Sequence, residues 1–256
     1  MSPVVVSRVG HDDLGDKLLG YLEQKGVNTQ WVQVDEAHET GVVLVNVSNR
    51  SEVTYDIVQP VAWDYIQLQE GLEQVVAGSD YFLYGSLAAR SETSRNTLLA
   101  LLKVAKRKVF DVNLRPPHYA REVLEPLLQQ ADIVKMNHHE LTEITGWHQP
   151  YTDERTAMAF LREQYAVQTI IVTRGENGAA VLSAEGNYEQ AGYHVEVEDT
   201  IGSGDAFLAT FLAHYIAGKS YPEALKQACA MGALVATKKG ATPVIPREAV
   251  SQLINS

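Results

Sequence analysis

The run from residue 197 to 213, VEDTIGSGDAFLATFLA, sets three small residues, Gly202, Ser203 and Gly204, directly before an aspartate that opens an apolar stretch. A helix that begins after Gly-Ser-Gly presents N–H groups with no bulky side chain in front of them, and its first turn has no intrahelical acceptor for those groups. Such an end suits phosphate oxygens. Asp205 falls in the first turn, where a carboxylate is also favoured by the helix dipole alone. For an isolated G-x-G-D the dipole reading is the stronger one. The functional alternative is a phosphoryl-transfer site: the N–H groups stabilise charge on the migrating group and Asp205 accepts the proton of an attacking hydroxyl. The chain has no Walker A pattern, so an ordinary nucleotide-binding P-loop does not compete.

Around this run the sequence alternates short β-branched segments with amphipathic ones. YFLYG (81–85), VFDVN (109–113), DIVKM (132–136) and TIIVT (169–173) are the strands, which predicts an α/β fold, a mostly parallel sheet with helices on both faces. The first strand is predicted as PVVVSRV (3–9), followed by a helix with Leu14, Leu18, Tyr21 and Leu22 on one face and Gly26 as its C-cap. Between 41 and 58 the pattern changes. GVVLVNV and EVTYDIV alternate in polarity about the turn-like SNRS, which predicts an antiparallel hairpin. It extends the edge of the main sheet or forms a lid over the crevice where open α/β sheets bind ligands. Helices are predicted near 203–217, 221–238 and 246–254, and the whole of 1–256 reads as one domain.

Composition narrows the function classes. With 256 residues and 45% hydrophobic content the chain can bury a sizeable core. Its 32 acidic and 21 basic side chains give a net charge of −11, which argues against duplex nucleic acid or an anionic membrane as partner. The single cysteine, Cys229, excludes an intramolecular disulfide and fits a reducing, cytoplasmic setting. No apolar run reaches the length of a membrane span, the start lacks signal-peptide character, and the eight histidines form no metal-ligand spacing.

Three further segments carry candidate chemistry beside a plain structural reading. Asn137 and Glu140 stand three apart at a predicted helix start, which alone reads as a capping box. Asp111, Asn113 and Arg115 follow a predicted strand, where ligands meet an open sheet; an arginine before a proline turn is by itself a solvated charge. Thr173-Arg174-Gly175-Glu176-Asn177-Gly178 joins two strands and Gly240 follows a lysine pair, so both read as turns or caps.

The run Asp199 to Asp205, DTIGSGD, resembles the D-T-x-G-[AS]-G-D signature of the ribokinase-like (PfkB) carbohydrate kinases, and the likeness extends from about Val4 to the C-terminus. The resemblance implies a ribokinase-like fold with a small β lid. It makes Gly202, Ser203 and Gly204 the anion hole and Asp205 the catalytic base. By the same likeness Asn137-x-x-Glu140 is the family's N-x-x-E motif, in which Glu140 helps hold Mg2+. Thr173, Gly175, Gly178, Asn137 and Gly240 then belong to the ATP site, and Asp111, Asn113 and Arg115 join Asp205 at the sugar. The D-x-N-x-R-P stretch, and Tyr84-Gly85-Ser86-Leu87-Ala88 with Arg90, are similar to those of fructokinases and 2-keto-3-deoxygluconate kinases. The implied activity is ATP-dependent phosphorylation of a sugar hydroxyl, with ATP, Mg2+ and a monovalent cation such as K+ as cofactors and a homodimer through the lid sheet. The alternatives are a non-catalytic nucleotide- or sugar-binding descendant and a kinase for another acceptor. Family members open with a strand ending in a sugar-binding aspartate, then a glycine pair, and only MSP precedes the first matching strand here. The expectation is therefore near-normal ATP binding, a high Michaelis constant for sugar and slow futile ATP hydrolysis.

Overall fold

Strand and helix alternate from the first turn of the computed structural model, which describes residues 2–49 and 52–255. The chain packs as two units, Met1–Arg107 with Arg115–Val123, and Lys108–Leu114 with Leu124–Ser256.

In the first unit β1 (Ser7–Gly10) and β2 (Val32–Asp35) pair in parallel around α1 (Asp13–Gln24). The predicted strand 3–9 is shorter at its start: Val4 makes only an isolated bridge to Asn28. The partner chain is bent there, since Gln30 N–H donates to Asn28 Oδ1 and Val32 N–H to Thr29 O, which interrupts any longer ladder. Asp12 caps α1, accepting from Leu14 and Gly15 N–H, and its second oxygen accepts Thr40 N–H at 2.7 Å. The helix ends as predicted, with Gly26 at φ 71° and Val27 N–H returning to Leu22 O. Leu14, Leu18 and Tyr21 share a face as predicted, and all three are exposed.

The hairpin forms from β3 (Val43–Asn49) and β4 (Glu52–Ile57), antiparallel with Val43 opposite Ile57. It is a two-stranded sheet of its own among the described residues, which removes the edge-extension reading. The tip of the predicted SNRS turn, at 50–51, lies outside the described residues. Further along, α2 (Leu72–Gly78), β5 (Phe82–Gly85) and α3 (Glu92–Val104) complete the unit, with Leu72, Val76, Leu101 and Ala105 packed against Trp31 and Phe82. Arg90 is structural. Its guanidinium lies 3.8 Å from the Trp63 ring and donates to both oxygens of buried Asp64 at 2.7 Å.

The second unit holds a sheet in the order β10-β9-β8-β7-β6: β6 (Lys108–Asp111), β7 (Ile133–Asn137) and β8 (Thr169–Thr173) run parallel, and β9 (Ala179–Ser183) and β10 (Gly186–Gln190) fold back antiparallel. The parallel strands are almost wholly buried, as their continuous apolar runs require. The helices α4 (Arg121–Leu128), α5 (His138–Gly146) and α6 (Glu154–Gln164) follow β6 and β7 along the chain. The tail is helical where predicted: α7 (Ser203–Ile216), α8 (Tyr221–Ala236) and α9 (Arg247–Asn255). Gly232 of α8 lets that helix approach the start of α7, because a Cβ there would stand 3.3 Å from Ser203 O.

Candidate active site

Register brings the carboxyl ends of β7 and β8 level, with β6 ending two residues earlier. Asp111 at the end of β6 lies opposite Lys135 of β7, and Asn137 at the end of β7 lies opposite Thr173 of β8. In open α/β sheets this edge is where ligands sit.

α7 begins from a left-handed residue, Gly202 at φ 80° and ψ −9°, with no side chain capping its N–H groups. Ser203 N–H turns back to Thr200 O and Ala206 N–H starts the helical ladder at Gly202 O, so the N–H groups of Gly204 and Asp205 have no partner among the described residues. Gly202 is also pinned, since any Cβ would overlap the Ala241 carbonyl. Ser203 Oγ is buried without a hydrogen-bond partner among the described residues. Asp205, by contrast, is exposed. Just upstream, Asp199 accepts Ile201 N–H at 3.0 Å and Gly240 N–H at 3.1 Å, which ties Gly240 to this loop and holds the Asp199 carboxyl below the usual range. An uncapped helix start beside an exposed carboxylate fits a phosphate-bearing ligand.

The N-x-x-E motif forms the reciprocal capping box. Glu140 N–H donates to Asn137 Oδ1 at 2.9 Å and Asn137 N–H to Glu140 Oε2 at 2.7 Å. Glu140 does more than cap, because its other oxygen accepts Leu114 N–H at 2.8 Å, joining the D-x-N-L turn after β6 to the start of α5. In that turn Asn113 adopts φ 40°. Glu140 is 5% exposed and each of its oxygens is engaged, and no group of three metal-ligating side chains occurs among the described residues.

Lys135 stands outside every sequence motif named above. It sits in a strand that is otherwise apolar, and a buried lysine in such a strand needs a partner. That partner is Asp111: Lys135 Nζ donates to Oδ1 at 3.0 Å and to Oδ2 at 3.2 Å, with both residues under 9% exposed. Burial pushes the Asp111 carboxyl up, the Lys135 ammonium pulls it down, and the charges of Glu140 and Asp205 push it up again. Arg115 is exposed and lies in the first unit.

Thr173 and the turn after β8 form a hairpin with Gly175 at φ 59° and Gly178 at φ 90°. Arg174 N–H closes it on Gly178 O at 2.8 Å. The Arg174 guanidinium is committed to Glu154 and Glu189, so it belongs to the turn's own framework. Burial raises the Cys229 thiol to about 12, which leaves it unreactive. No helix among the described residues is long and apolar enough to cross a membrane.

Comparison with known proteins bears on this geometry. Residues 2–248 match the pfkB family of carbohydrate kinases. The probable fructokinase-3 of Arabidopsis thaliana is 28% identical over 260 residues, covering 95% of this chain and 74% of that protein. Fructokinase from Vibrio cholerae, solved with fructose, ADP and calcium, superposes with a TM-score of 0.82 at 24% identity, over 99% of this chain and 85% of that one. Aminoimidazole riboside kinase from Salmonella enterica, with its riboside and an ATP analogue, gives 0.80 at 24% identity, over 100% and 86%. The fold is ribokinase-like, and the chain belongs to the pfkB family of carbohydrate kinases.

Proposed function

We propose that the chain is an ATP-dependent sugar kinase of the fructokinase type, which transfers the γ-phosphoryl group of ATP to a sugar hydroxyl. The observation that carries this reading is the start of α7, where unpaired N–H groups at Gly204 and Asp205 stand beside the exposed Asp205 carboxylate. The N–H groups stabilise charge on the transferring phosphoryl oxygens, and Asp205 accepts the proton of the attacking hydroxyl. A loose transition state asks for positioning more than for strong basicity, and a carboxylate on a rigid helix supplies it. Magnesium, when bound with ATP, neutralises phosphate charge; Glu140, with both oxygens holding backbone N–H groups, would act on the ion through its water. Thr173, Gly175, Gly178 and Gly240 would line the nucleotide, and Asp111, Asn113 and Arg115 the sugar.

The test is Asp205→Asn, which keeps nearly the same volume. It is expected to bind ATP with little change and to lose several orders of magnitude in sugar-dependent ADP release. Retained turnover would remove Asp205 from the mechanism. A panel of acceptors, with fructose, 2-keto-3-deoxygluconate and a riboside assayed on one preparation, identifies the sugar. Nucleotide binding without ADP release on any of them would favour a non-catalytic binding module.

A further inference from the structure

Lys135 belongs to no motif of the sequence, yet its ammonium is the buried cation next to the start of α7. The Nζ atom stands 3.2 Å from where a Cβ on Gly204 would lie, and no other described atom outside the local helix comes within 4 Å of that point. Two of its three donors go to the Asp111 oxygens. The third has no acceptor among the described residues. Glu140 and Asp205 place two more carboxylate charges within reach of Asp111. Three carboxylates and one ammonium thus act on one another here, and the ammonium is the group nearest the place a Gly204 side chain would take.

We propose that Lys135 is a positioning residue for phosphate, in which Asp111 anchors an ammonium behind Gly204 so that its charge adds to the N–H groups of α7. This rests on the reading of that helix start as the phosphate site. Glycine at 204 then has a reason beyond the backbone. Any side chain would press on the Lys135 Nζ, so the close approach of ammonium to helix start depends on its absence. The pair is neutral overall, but it is oriented: Lys135 Nζ comes within 3.2 Å of the place a Gly204 Cβ would take, and no Asp111 atom comes within 4 Å of it. A pair that serves only packing has no need of that orientation.

The experiment exploits the two halves of the pair. Lys135→Met and Asp111→Asn both break a buried ion pair, and both are expected to lower thermal stability. A merely structural pair predicts the same effect of each on nucleotide affinity. The proposal predicts unequal effects: by calorimetry, Lys135→Met weakens magnesium–ATP by about tenfold or more, while Asp111→Asn, which leaves the cation in place, weakens it less than about twofold or tightens it. Lys135→Arg, which keeps the charge, is expected to recover most of the affinity. Equal losses in the two single variants, or no loss in Lys135→Met, would overturn the proposal. Where a single variant fails to fold, the double variant Asp111→Asn/Lys135→Met carries no buried charge, and unchanged affinity there overturns it equally. These binding readouts do not depend on turnover, so a failure of Asp205 as base leaves them intact. A wild-type chain that binds no magnesium–ATP defeats both readings.

Discussion

Gly202 and Gly204 stand two residues apart in one loop, and the structure assigns them different physics that single substitutions separate. Gly202→Ala meets two costs. At φ 80° an L-residue is in the left-handed region, which costs about 1–2 kcal/mol. Its Cβ would also overlap the Ala241 carbonyl, a backbone group that moves only with its segment, and such overpacking costs about 1–3 kcal/mol. The sum is about 2–5 kcal/mol, and at roughly 2–4 °C per kcal/mol for a chain of this size the melting temperature falls clearly. Gly204→Ala meets neither cost. It lies inside the helix, where alanine is favoured over glycine by up to about 1 kcal/mol, and its Cβ meets only the flexible end of Lys135 at 3.2 Å. Its stability is expected to stay within about 1 kcal/mol of the parent or to rise. Its magnesium–ATP affinity and sugar-dependent ADP release are expected to drop, because the methyl group presses on the Lys135 ammonium whose charge adds to the α7 start. Thermal unfolding and calorimetry on both variants decide the matter. A Gly202→Ala chain as stable as the parent, or a Gly204→Ala chain that keeps full nucleotide affinity, would show that this account of the loop is wrong.

Glu140→Gln replaces one accepting oxygen with an amide donor, so Leu114 or Asn137 N–H loses its acceptor, and unfolding should show a loss of about 1–3 kcal/mol. If Glu140 also steadies magnesium-bound water, the magnesium concentration for half-maximal rate rises in the same variant; an unchanged value leaves it a capping residue alone. Asp35 is buried, which raises its pKa, but the N–H groups of Ala37 and His38, the His38 ring and Arg8 outweigh this and lower it to about 2. A depressed carboxyl contributes stability that is complete above its unfolded value near 3.9 and is lost as pH falls toward 2. Asp35→Asn should therefore flatten the melting-temperature profile between about pH 4 and 2, and a profile as steep as the parent's would remove Asp35 from the acid response. The exposed Val43 and Leu44 on a two-stranded sheet with open edges predict self-association through β3 and β4. Sedimentation over a wide concentration range checks it, and a strictly monomeric mass rejects it.

What could be read from the sequence was local in the chain. The helix start after Gly202-Ser203-Gly204, the capping box of Asn137 and Glu140, the Gly26 cap and the β8–β9 turn each depend on residues within a few positions of one another, so residue type and spacing carry them. The parallel strands were legible for a related reason, since burial on both sides demands continuous apolar runs. Partners that lie far apart in sequence were decided only by the tertiary structure. Lys135 reads as an oddity in DIVKM until strand register sets it against Asp111, 24 residues away. Glu140 reads as a cap until the turn after β6 brings Leu114 N–H to its second oxygen. The independence of the β3–β4 sheet and the exposure of Leu14, Leu18 and Tyr21 follow from what does or does not pack against them, and polarity patterns record only that a face is apolar. A motif names the groups that chemistry requires; which of them share a charge, and in what orientation, depends on how the strands align.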